Sequence, residues 1–86
     1  MKTIWKFELP KQGNVEMPKG AEILTVQTQN EKPCIWALVN PDAEKEERAF
    51  VIYGTGHYFQ LIDYKYIGTF QLNEGRLVFH VFESYL

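Results

Sequence analysis

Directly after the apolar run 49–53 of this 86-residue chain stands Gly54-Thr55-Gly56-His57, the segment whose residue types are best suited to chemistry. Two glycines after a strand let backbone N–H groups approach an anion without side-chain obstruction, so a phosphate cradle is one expectation. A histidine beside them can give or take a proton near neutral pH. Tyr53 precedes the glycines, and Tyr58 and Phe59 follow the histidine. Tyr53, Gly54, Thr55, Gly56, His57, Tyr58 and Phe59 therefore form the expected ligand-binding segment, joining backbone donors, an imidazole and aromatic faces. The dinucleotide fingerprint would need a third glycine where Phe59 stands, and a Walker-type phosphate loop would need a Gly-Lys-Ser/Thr ending that is absent. The competing reading is a bend or bulge whose glycines serve geometry alone.

Elsewhere the supply of reactive groups is thin. His80 lies between Phe79 and Val81 and shares its strand face with Val78 and Phe82, the setting of a hydrogen-bonded or partly exposed sheet residue. The two histidines are far apart in the chain and have no cysteine or carboxylate at ligand spacing, so no metal site and no cofactor is expected. Ser84 is the only serine and lies near the end of the sequence, while Cys34 opens an apolar run and reads as a small buried hydrophobe. Asp63 as an orienting group for His57, and Glu46 with Glu47 as acids, lack any spacing that makes them converge. A small His57-dependent hydrolase therefore ranks below a binding protein.

These residues must be positioned by strands. Trp5, Phe7 and Leu9 alternate with Lys6 and Glu8, which predicts a strand over residues 2–9 with one face to the core. Pro10 ends it, residues 11–14 form a polar connection, and the short Val15-Glu16-Met17 leads into Met17-Pro18-Lys19-Gly20, expected as a type I turn. Residues 21–29 and 34–39 predict an antiparallel hairpin across Gln29-Asn30-Glu31-Lys32. The second arm is apolar on both faces, as in a central strand, with Ile35, Ala37 and Val39 on one side and Trp36 and Leu38 on the other.

Residues 40–48 are the only helix-like stretch, with Asn40 as an N-cap and Pro41 at the first helical position. They lack an apolar face, so at most one helical turn in a solvated loop is expected. Strands are predicted over 49–53, weakly over 58–62, and over 66–72 and 77–82, with turns at Asp63-Tyr64-Lys65 and at Asn73-Glu74-Gly75-Arg76. Gly75 supplies the positive φ of the second turn. The expected fold is a single all-β domain over 1–86, an antiparallel sandwich or small barrel of five to six strands.

Composition narrows the functional classes. Hydrophobic residues make up 45% and charged residues 23%, the balance of a chain that folds rather than remaining disordered. One cysteine excludes an intramolecular disulfide framework and fits a reducing compartment. No apolar run reaches the roughly 18 residues of a membrane span, and the alternating start does not read as a signal peptide, so a cytoplasmic, mature chain is expected. A net charge of −2 gives no general field for nucleic acid.

The segments Ile4-Trp5-Lys6-Phe7-Glu8-Leu9, Glu16-Met17-Pro18-Lys19-Gly20-Ala21, Pro33-Cys34-Ile35-Trp36-Ala37-Leu38-Val39, Tyr53-Gly54-Thr55-Gly56-His57, Tyr66-Ile67-Gly68-Thr69-Phe70-Gln71-Leu72 and Val78-Phe79-His80-Val81-Phe82-Glu83 carry a resemblance. Together they resemble a family of small proteins encoded by tailed bacteriophages and prophages, to which no activity is assigned. The resemblance implies action by binding in the host cytoplasm, either sequestering a small anionic, nucleotide-like defence signal or inhibiting a host defence protein. An 86-residue sandwich cannot internalise every aromatic, so association with further copies of the chain is also expected. The alternative the resemblance leaves open is a structural or protein-interaction module that acts through an exposed sheet edge, for example in phage assembly.

Overall fold

The structure, a computed structural model, describes residues 1–11 and 13–85. It is all-β: seven strands in two antiparallel sheets, with no helix among the described residues. The strands are β1 (Thr3–Glu8), β2 (Asn14–Pro18), β3 (Glu22–Gln29), β4 (Lys32–Val39), β5 (Lys45–Gly54), β6 (Tyr64–Leu72) and β7 (Leu77–Ser84). One sheet has the order β1-β4-β3 and the other β2-β5-β7-β6. The all-β class holds, but the strand number exceeds the five or six expected. Gln12, within the expected 11–14 connection, lies outside the described residues.

The core lies between the sheets and follows the period of two. Ile35, Ala37 and Val39 of β4 are buried, while Trp36 and Leu38 on its opposite face are partly exposed, and β4 is the central strand of its sheet. Opposite them Val15, Met17, Phe70 and Val81 come from the second sheet. Edge strands β3 and β6 approach closely because Gly68 has no side chain: a Cβ there would lie 3.2 Å from Val26 Cβ. Each of these two strands also carries a register shift, at Ile23/Thr25 and at Tyr66/Gly68, and a shift of this kind adds local bend and twist.

Four expectations are corrected. Residues 45–48 are not a loop but the first half of β5, paired with β2. Their charges alternate in burial: Lys45 and Glu47 are exposed, whereas Glu46 and Arg48 are half-buried. Residues 40–44 stay within the bound of at most one helical turn, forming a tight turn in which Ala43 N–H donates to Asn40 O and Asp42 N–H to Asn40 Oδ1. The turn at Pro18 is displaced by one residue: Ala21 N–H donates to Pro18 O, and Gly20 at the third position has φ 80°, as a type II turn requires. Residues 58–62 form no strand, and Tyr64 and Lys65 belong to β6, opposite Ser84 and Glu83.

Candidate functional site

At the end of β5, His57 N–H donates to Gly54 O, closing a four-residue turn in which Gly56 has φ 86°. The His57 ring folds over Gly54, where an added Cβ would meet its Cε1 at 3.0 Å. Gly54 thus makes room for the imidazole and Gly56 supplies the left-handed backbone. Thr55 N–H donates to Val78 O. The N–H groups of Thr55 and His57 are therefore engaged within the protein, which leaves the segment fewer donors for an anion and gives weight to side-chain charge.

Such charge stands across the turn. A hollow of about 510 Å³ is lined by Gly54, Thr55, His57, Arg76, Leu77, Val78 and Phe79. Arg76 sits in the turn between β6 and β7, where Arg76 N–H donates to Asn73 O, and no carboxylate pairs with its guanidinium among the described residues. The sequence reading missed Arg76 because its neighbourhood to residue 54 depends on β7 pairing with β5, Gly54 opposite Phe79.

The aromatic members of the expected segment go elsewhere. Phe59 turns back to stack on Tyr53, with centroids 4.4 Å apart and planes at 17°, and both rings meet Phe82. Tyr64 and Tyr66 approach the same Phe82 edge-on, giving an aromatic cluster on the face of the sheet away from the core. Tyr58 is fully exposed and joins neither group. The structure brings Gly54, Thr55 and His57 together at one hollow and Tyr53 and Phe59 together on one face.

His80 is hydrogen-bonded and partly exposed, as its strand position predicts. It lies opposite Tyr53 on one side and Thr69 on the other. Thr55 Oγ1 lies 3.2 Å from Val78 O and 2.6 Å from His80 Nε2. His80 Nδ1 shares a hydrogen bond with Thr69 Oγ1 at 2.9 Å, and Thr69 Oγ1 shares another with the Tyr66 hydroxyl. Each ring nitrogen is satisfied by a hydroxyl, which fixes the ring and ties Thr55 to the sheet.

A second polar constellation was not anticipated. Arg48 Nε and Nη2 donate to Glu83 Oε2 and Oε1 at 2.7 and 2.8 Å, and Nη1 donates to Ala21 O at 2.6 Å. The bond to Glu83 holds the Arg48 guanidinium above its ordinary range, against the opposing effect of burial. The signal was present in the sequence: Arg48 shares parity with Phe50 and Ile52, and Glu83 with Phe79 and Val81, so a base and an acid both face inward. Of the other groups weighed for catalysis, Cys34 is buried and its Sγ faces Lys32 O at 3.6 Å. Glu46 accepts Gly20 N–H and Glu47 accepts from Asn14. No three histidine, cysteine or acidic side chains group as metal ligands among the described residues.

No helix among the described residues is long and apolar enough to cross a membrane. No curated protein and no solved structure matches the chain. A family known as domain of unknown function DUF7352 matches residues 1–86. Since that match runs the whole length of the sequence, the chain belongs to the DUF7352 family.

Proposed function

We propose that this chain is a non-enzymatic binding module, encoded by a phage or prophage and acting in the host cytoplasm, that captures a small anionic, nucleotide-like defence signal. The observation that supports this reading is the hollow beside residues 54–57, where the His57 imidazole and the Arg76 guanidinium, without a carboxylate partner among the described residues, share one wall set. A guanidinium presents a planar fork of donors suited to phosphate oxygens, and the glycine turn keeps side chains out of the approach. The hollow also falls in the size range of small-molecule sites, about 300–1,000 Å³. Phage origin rests on the sequence resemblance given above.

The test is calorimetry and thermal shift of the purified chain with a panel of nucleoside diphosphates and cyclic dinucleotides. Binding of one class at a discrete stoichiometry, lost in Arg76→Ala and weakened in His57→Ala, supports the reading. A panel without a binder, or binding that both variants leave intact, overturns it.

A second reading has its own observation. β2 pairs with β5 only from Lys45 to Ala49, so beyond Ala49 no strand covers that side of β5 among the described residues. An extended segment of a host protein, or of another copy of the chain, could add there by backbone hydrogen bonding. Light scattering and a defined-peptide titration separate this from small-molecule capture.

A further inference from the structure

A different opening lies where the two sheets part company. Leu9 N–H donates to Pro33 O, which ties the end of β1 to the start of β4, while β2 stops covering β5 at Ala49. Between them is a hollow of about 520 Å³ walled by Leu9, Pro33, Ile52, Phe70, Leu72 and Phe79. The Phe70 and Phe79 rings stack at 5.4 Å and form a flat apolar wall. Leu9 and Phe70 are buried, but Ile52, Leu72 and Phe79 keep part of their surface open to the space. An opening of this size with apolar walls gains from an apolar occupant that displaces its water.

The rim sets the head group. It carries Glu8, Lys11, Glu31 and Lys32. Lys32 Nζ pairs with Glu8 Oε1 at 3.8 Å, and Glu31 Oε1 accepts Asn73 N–H at 2.9 Å. Lys11 has no partner among the described residues. Glu8 is thus paired with Lys32, while Glu31 holds a backbone N–H and keeps its charge, so Lys11 is the rim cation without a counter-ion among the described residues. We infer that this hollow binds a small amphiphile, an alkyl chain ending in one carboxylate, with the chain between the sheets and the head at Lys11. The inference stands apart from the Arg76 hollow, since the two share only Phe79.

The probe is sodium decanoate below its micelle concentration, with decyltrimethylammonium as the cationic counterpart, followed by methyl NMR on the unaltered chain. Saturable shifts at the methyls of Leu9, Ile52 and Leu72 are expected, and Arg76→Ala should leave them unchanged. Lys11→Glu should weaken decanoate about threefold or more, from loss and reversal of one exposed charge contact, and leave the cationic probe unweakened. Leu72→Trp, which fills the hollow, should abolish binding; if that variant fails to fold, the methyl map and Lys11→Glu still decide. Absence of saturable shifts at those methyls, decanoate binding indifferent to Lys11→Glu, or binding lost in Arg76→Ala overturns the inference.

Discussion

Replacing Arg48 by alanine should strongly destabilise this protein. The partner, Glu83, is 4% exposed, and the side chains of the pair are 17% and 5% exposed, so the carboxylate would be left in the interior without its two donors. The guanidinium also holds Ala21 O, just ahead of β3, and so joins the second sheet to the first. Removing one partner of a buried pair costs about 3–5 kcal/mol, whereas an exposed pair is worth about 0–1 kcal/mol. A chain of this length has a total stability of about 4–13 kcal/mol, so a large share is at stake. At roughly 4–8 °C per kcal/mol for a domain this small, Tm should fall by about 12 °C or more. Urea unfolding followed by circular dichroism, at low salt and again with added sodium chloride, measures it. The double variant Arg48→Met, Glu83→Leu should recover most of the loss, because no buried charge remains unpaired. A single-variant cost below about 1 kcal/mol, or a double variant whose cost is the sum of the singles, would refute the reasoning.

Further outcomes follow from other positions. Bonding to Glu83 raises the Arg48 pKa, so its stabilisation is complete below the unfolded-state value and is lost only as pH rises through the still higher folded one. Denaturation midpoints should therefore show no loss traceable to Arg48 between about pH 6 and 9. Gly68→Ala should destabilise by about 1–3 kcal/mol through overpacking against Val26, seen in the same urea assay; a neutral effect would mean the sheets separate easily there. Gly56→Val meets open space but a φ of 86°, so a cost of about 1–3 kcal/mol would be backbone strain alone, and Gly56→Asn should cost less.

Where hydrophobic alternation and turn chemistry agreed, the sequence was readable. Residues 34–39 announced a central strand because both parities are apolar, and the last hairpin announced itself through Gly75, whose φ is 85°. The misses share a cause: strand character supplied by partners rather than by composition. Lys45, Glu46, Glu47 and Arg48 have weak β preference, yet β2 pairs with them and Glu83 neutralises Arg48. Residues 58–62 have the opposite mismatch, aromatic and β-branched but in a loop, where Tyr58 and Ile62 are exposed and Phe59 folds back onto Tyr53. The geometry of the candidate hollow was legible only in part. Glycines and a histidine located the turn, but the Arg76 charge facing it arrives through strand order, which local patterns do not encode.

The capture reading stands or falls on an amide NMR titration of the isotope-labelled chain with the tightest nucleotide of the calorimetric panel. The account predicts saturable shifts confined to residues 54–57 and 76–79, with the Arg76 side-chain signal moving most and the whole pattern vanishing in Arg76→Ala. Shifts that scatter over the surface without saturating, or that settle on the Tyr53, Phe59 and Phe82 face while leaving Arg76 unmoved, would contradict it.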